Sequence, residues 1–225
     1  MNAEPGTIVV YSDIGCPWAH VAVARLLATR RRLGLDDQVA LDHRAFPLEL
    51  HNRQPTPWRV LAAEIPVVGG IAPEAGWRMW QAEPWTWPVT TLPALEAVQA
   101  AKEQGLPASE RLDRALRVAL FRDSLCVSLR HVVLEVAADT DGVDKSKLRD
   151  ALDDGRAHRA VIEQFETSRS QQVDGSPHLF LPDGTDVANP GVEMHWEGEH
   201  GRGFPVVDSD DPGVYERILE RAAGS

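Results

Sequence analysis

The residue with the clearest chemical potential is Cys16. It is preceded by the run Thr7-Ile8-Val9-Val10-Tyr11 and the turn Ser12-Asp13-Ile14-Gly15, and followed directly by Pro17. The β-branched run has no breaker and predicts a buried strand. From Pro17 to about Leu33 the chain is apolar and Ala-rich, with Arg30-Arg31-Arg32 at its end and Gly34 just beyond. Proline at the first helical position, cations in the last turn and glycine after the end predict a helix. Cys16 thus stands where a strand turns into a helix. A thiol there meets unpaired N–H groups and the positive end of the helix dipole, both of which favour thiolate. The expectation is a nucleophilic cysteine ionising well below the free-thiol value of about 8.5. The competing reading is a small buried hydrophobe.

Other side chains are weighed against bland roles. His20, in the first turns of the same helix, would stabilise the Cys16 thiolate if protonated, or simply pack. Asp13 is a turn residue or a proton acceptor near the thiol. Val173-Asp174-Gly175-Ser176-Pro177 leads into a strand, a place where a cis X-Pro bond would be a deliberate feature and a trans turn is the default. Trp77, Trp80, Trp85 and Trp87 form either core packing or an aromatic wall over Cys16. His195, Glu197, Glu199 and His200 have no recognised metal spacing, and no metal site is expected there. Cys126, among apolar neighbours, reads as a core cysteine that could still approach Cys16. Ser124 and Ser128 have no nucleophile-elbow context.

These residues must be held by a fold. Residues 39–46 alternate and predict a second strand, so the chain opens strand, helix, strand, a unit normally parallel with a right-handed crossover. The stretch from about Pro47 to Glu83 carries turn signals at Pro55, Pro57, Pro66, Gly69-Gly70 and Pro73 and reads as irregular. Helices are predicted over 91–104, from an N-cap at Ser109 to about Arg122, after a cap at Ser128, from a cap at Asp144 to about Asp154, and over 157–171. His178–Leu181 and Asp186–Ala188 read as strands joined by the turn Pro182-Asp183-Gly184-Thr185. The remainder reads as Gly-rich loop until a final helix at about Gly213–Ala222, capped by Asp210 or Asp211. The predicted class is α/β: a β-α-β half and a β-β-α half (1–50 and 172–225) sharing one sheet, with a helical insertion (51–171) between them.

Composition narrows the function. The chain has 225 residues, a formal net charge of −11 and two cysteines. The acidic balance argues against nucleic acid and anionic membranes as partners. Two cysteines exclude a disulfide scaffold and a Cys-rich zinc site. No apolar run is long enough to span a bilayer, and the opening residues have no basic and apolar leader, so a cytoplasmic location is expected.

The run Tyr11-Ser12-Asp13-Ile14-Gly15-Cys16-Pro17-Trp18, together with Val173-Asp174-Gly175-Ser176-Pro177-His178-Leu179-Phe180, resembles the thioredoxin superfamily, in its DsbA-like branch. It is most similar to the cytosolic FrnE-like proteins, whose motif is Cys-Pro-Trp-Cys. The resemblance implies a thioredoxin fold with a helical insertion, Cys16 as nucleophile, Ser176 and Pro177 as the cis-proline loop that aligns substrate, and Trp18 as an apolar contact. Ala19 stands where the branch has its second, resolving cysteine. Without that thiol a mixed disulfide persists until an outside thiol attacks it. The expected activity is therefore monothiol exchange or disulfide isomerisation, with a small thiol or disulfide, or a protein disulfide, as partner. No tightly bound cofactor is expected; a low-molecular-weight thiol would be co-substrate. Two alternatives stay open. Kappa-class glutathione transferases and 2-hydroxychromene-2-carboxylate isomerases share the layout, lack the second cysteine and carry Ser at the position of Cys16. The other is a thioredoxin-like binding module without turnover.

Overall fold

The computed structural model describes residues 3–224, so the reading of the N-terminal Met1-Asn2 lies outside the described residues. The main sheet has four strands in the order β2-β1-β3-β4. Strand β1 (Thr7–Ser12) is central. It runs parallel to β2 (Ala40–Ala45) and antiparallel to β3 (His178–Phe180), which pairs with β4 (Asp186–Ala188). Ile8 to Ser12 are all buried, which is why the strand reads as a continuous apolar run rather than an alternation. The turn between β3 and β4 closes as expected: the Asp183 carboxylate accepts the Thr185 N–H, and Gly184 takes the left-handed conformation.

Helix α1 (Pro17–Leu33) ends in a left-handed Gly34 whose N–H returns to the Arg30 and Arg31 carbonyls. Its first ten residues are buried on every side. Ala22, Val23 and Leu26 pack on the sheet and on the last helix, α9 (Val214–Ala223), beside Tyr215, Ile218 and Leu219. Ala19, Val21 and Ala24 pack on Val68, Ala72 and Ala75 from the other side. The remaining helices are α2 (Leu48–Asn52), α3 (Trp58–Ile71), α4 (Leu92–Ala101), α5 (Leu106–Phe121), α6 (Arg130–Ala138), α7 (Lys145–Asp153) and α8 (Arg156–Thr167). Helices α4 to α8 share one apolar core around Leu95, Leu112, Leu116, Leu148 and Val161.

The structure corrects several readings. The segment taken as irregular holds α2 and α3. Helix α3 contains Pro66 and Gly69-Gly70, but burying Val60, Leu61, Ile65 and Val68 outweighs those breakers. Ser109 is not a cap; α5 starts at Leu106, and the buried Ser109 hydroxyl donates to the Val98 carbonyl. Leu129, not Ser128, precedes α6, and the Ser128 hydroxyl instead donates to the Thr90 carbonyl. Asp144 does cap α7, accepting from the Ser146 and Lys147 N–H groups. The Gly-rich stretch forms a hairpin of β5 (Val192–Glu197) and β6 (Phe204–Asp210). Its glycines permit the close approach: a Cβ on Gly203 would sit 1.8 Å from the Glu197 carbonyl oxygen. Asp210 belongs to β6 and pairs with Arg25, whereas Asp211 accepts the Gly213 N–H at the start of α9.

A buried charge network ties α5 to the end of β1. Arg117 is fully buried and bonds Asp113 with two donors, at 2.7 and 3.1 Å. It also donates to the Ser12 hydroxyl (2.7 Å) and the Asp13 carbonyl (2.8 Å). The guanidinium holds the Asp113 carboxyl below its usual range even though burial pushes the other way. Removing the cation leaves a buried carboxylate without its partner. Arg117→Ala is therefore expected to cost about 3–5 kcal/mol of unfolding free energy, read from urea denaturation. A cost below about 1 kcal/mol, typical of an exposed pair, would contradict this role.

Candidate active site

Cys16 is the N-cap of α1, extended at φ −85° and ψ 115°, and only 4% exposed. Its thiol donates to the Ser176 carbonyl oxygen at 3.1 Å. The Ser176–Pro177 peptide is cis, so the strand-entry proline takes the uncommon isomer. The Ser176 hydroxyl in turn accepts the Asp13 N–H at 2.9 Å. Two segments some 160 residues apart thus meet at the sulfur, and the structure brings Cys16, Pro17, Ser176 and Pro177 together.

The protonation of that sulfur differs from expectation. Burial pushes the Cys16 thiol up to about 11. The Ser176 hydroxyl and the Ala19 N–H pull it down, as a helix N-terminus should, but the nearby Glu64 and Asp13 carboxyls add to the rise. The expectation of a resting thiolate is corrected: desolvation and two acids outweigh the helix end. Ala19 is fully buried one turn along the helix.

His20 is also corrected. Its Nε2 lies 3.1 Å from the Ala75 carbonyl oxygen, and its ring sits stacked on Phe121 and edge-on to Trp77. Burial, and next the charge of Arg117, drive its pKa down to about 3, so it stays neutral and cannot act as a cationic partner for Cys16. Trp18 turns inward as well. It is 8% exposed, and its Nε1 donates to the Glu64 carboxylate at 2.9 Å, which makes it a strut between α1 and α3 rather than an open contact surface.

Two carboxyls near the thiol had unequal sequence signals. Asp13 is buried and accepts from the Gly15 N–H, the Leu48 N–H and the Thr91 hydroxyl. Burial raises its pKa despite these donors. Glu64 had no signal, because it lies on a helix hidden by Pro66; burial pushes it up to about 7, against the Trp18 indole. The loop ahead of Cys16 borders a small cleft of about 20 Å³, lined by Gly15, Pro55, Thr56, Trp87, Val89 and Thr91. Of the four clustered tryptophans, Trp87 lines this cleft and also packs edge-on against Trp58 and Trp80. Trp77 is held by the Ala72 carbonyl and packs inward, while Trp85 is 80% exposed.

Cys126 lies in the loop between α5 and α6, half-buried, and both cysteines are free thiols. His195 bonds Asp208 on the hairpin and His200 packs on Trp196; among the described residues no group of three metal-capable side chains comes together. Among the described residues no helix is long and apolar enough to cross a membrane.

Residues 7–196 match the DSBA-like thioredoxin domain family. No curated protein matches the chain. Among solved structures it is similar to a Streptomyces coelicolor protein described as a probable DsbA oxidoreductase. That pair shares 21% identity over 97% of this chain and 90% of the other, with a TM-score of 0.69. It is also similar to the cytosolic disulfide reductase DsbM from Pseudomonas aeruginosa, at 14% identity over 97% and 95% of the two chains and a TM-score of 0.62. A third is a 2-hydroxychromene-2-carboxylate isomerase, at 17% identity over 80% and 87%, with a TM-score of 0.58. Likeness at these identities establishes a shared fold. With a cysteine capping the helix after β1, a cis-proline loop bonded to it and a family match over most of its length, the chain belongs to the DSBA-like thioredoxin domain family.

Proposed function

We propose that the protein is a thiol–disulfide exchange enzyme that works through Cys16 alone. The observation that carries this reading is the polar surroundings of a buried sulfur: the Ser176 carbonyl accepts a hydrogen bond from the thiol, and the Ser176 hydroxyl and Ala19 N–H favour its thiolate. A cysteine kept only for packing needs none of these. In the reaction, the Cys16 thiol gives its proton to solvent base and the resulting thiolate attacks one sulfur of a disulfide. A Cys16 mixed disulfide forms and the other sulfur leaves as a thiolate. An outside thiolate then attacks the mixed disulfide and releases Cys16. With Ala19 in the resolving position, a low-molecular-weight thiol completes the cycle. Ser176 and Pro177 align the substrate with their backbone groups. Substrate must reach Cys16, which is 4% exposed, where the thioredoxin-like part (1–50 and 172–225) meets the insertion (51–171). A cytoplasmic setting fits two free thiols and the cytosolic relative of the same fold.

A second reading is favoured by one observation, the protonated state of Cys16. A thiol that stays protonated can donate its S–H to the sulfur of a bound small thiol, as a serine hydroxyl would, and activate that sulfur instead. The enzyme is then a thiol-dependent transferase or isomerase, and the isomerase fold relative is compatible with it. The two readings separate on Cys16→Ser. In the first, turnover with small disulfides disappears; in the second, a saturable thiol-dependent activity survives. Ala19→Cys is expected to create dithiol oxidase activity in the first reading, and no gain would count against it.

Alkylation of Cys16 by iodoacetamide should keep rising from pH 8 to about pH 10, following a thiol displaced upward. A plateau reached below pH 8 would overturn the protonated resting state. Glu64→Gln removes a neighbouring negative charge and should raise the alkylation rate at pH 8; a fall would instead make Glu64 the proton acceptor. The same variant tests a linkage. Because the folded Glu64 carboxyl titrates near 7 against about 4.5 when unfolded, its contribution to stability is fully present below about pH 4.5 and is lost as pH rises through 7. Urea denaturation at pH 5 and pH 8 should show a smaller decline in Glu64→Gln than in the wild type.

A further inference from the structure

A second concave region lies away from Cys16, between α1 and α5. Its volume is about 560 Å³, within the roughly 300–1,000 Å³ usual for small-molecule sites. Its lining includes the apolar Ala24, Leu27 and Val39 and the arginines Arg31, Arg111 and Arg114. Along α1 these positions are roughly 12–22 Å from Cys16, at 1.5 Å per residue, so this is a different place from the exchange site.

The charges around it are unevenly matched. Arg30 is already neutralised: it forms two bonds to Glu110, at 2.7 and 2.5 Å, and one to Asp36 at 3.2 Å. Glu110 is further occupied by the Leu41 N–H. Among the described residues, none bonds or pairs with Arg31, Arg111 or Arg114. The Arg111 guanidinium lies against Gly142, which leaves Arg31 and Arg114 beside the one remaining acid of the lining, Asp37. Arg114 is half-buried, and its charge reaches far enough inward to disfavour a proton on His20. In a chain of net charge −11, two unpaired arginines beside one hollow run against the overall balance. Guanidinium groups present planar paired donors that match phosphate oxygens and are held less tightly by water than ammonium. The apolar part of the lining suits the carbon skeleton of the same molecule.

We propose that this cavity binds a small organic phosphate, with the phosphate held by Arg31 and Arg114 and the apolar body resting on Ala24, Leu27 and Val39. The proposal does not depend on the chemistry at Cys16. Isothermal titration calorimetry of the full chain with phenyl phosphate tests it, with inorganic phosphate and benzyl alcohol as comparison probes. Phenyl phosphate should bind saturably at low salt and tighter than inorganic phosphate, benzyl alcohol should not bind, and binding should weaken at high salt. The double variant Arg31→Gln, Arg114→Gln should bind phenyl phosphate at least about tenfold more weakly. Should that variant fail to fold, Ala28→Glu serves instead, since it sets a carboxylate at an exposed position of the same lining and should abolish binding. Cys16 alkylation should be unchanged in either variant. Absence of saturable phenyl phosphate binding, or affinity undiminished in the folded variant, would overturn the site.

Discussion

The site depends on the contact between Ser176 and the turn at the end of β1. The Ser176 hydroxyl takes the Asp13 N–H and its carbonyl takes the Cys16 thiol, which joins the two halves of the thioredoxin-like sheet at the reactive sulfur. The sheet alone does not fix this contact. Arg117, reaching from α5, clamps Ser12 and Asp13 from beneath, while the Asp13 carboxylate gathers the Gly15, Leu48 and Thr91 donors around the same turn. The insertion is therefore part of the active-site scaffold as well as a cover for it.

That scaffold sets the chemistry. A helix N-terminus lowers a thiol's pKa when the sulfur can still be solvated or meets a cation. Here the sulfur is 4% exposed and its charged neighbours are acids. Burial wins over the helix end, and Cys16 rests as a thiol. In the exchange reaction we propose, the Ser176 hydroxyl and the Ala19 N–H act as donors once charge develops, rather than on a thiolate held in advance.

What could be read from the sequence was local. β1, α1 and its glycine stop, the Asp183-Gly184 turn and the Asp144 cap follow from short-range signals that burial leaves intact. Cys16 and the Ser176-Pro177 loop were recognisable because each lies beside a strand end whose position is also local. The misses are places where tertiary burial overrode such signals. Helix α3 keeps a proline and two glycines because its apolar face is covered, and with it Glu64 enters the site without any motif. The β5–β6 hairpin hides in a Gly-rich stretch because glycine there permits close backbone approach. His20 and Trp18 lie on the helix expected for them, but whether each packs or meets the thiol is not legible, since α1 is enclosed on all sides at its start and offers no solvent-facing stripe to set their direction. The partners of Arg117 lie up to 105 residues away, and no local pattern marks them.

The central claim is that Cys16 exchanges disulfides without an internal partner. Intact-mass and peptide mass spectrometry after incubation with glutathione disulfide tests it most directly. The account predicts one glutathione adduct, located on Cys16, that persists until an external thiol is added and leaves Cys126 unlinked. An unmodified Cys16, or an internal Cys16–Cys126 disulfide in place of the adduct, would contradict it.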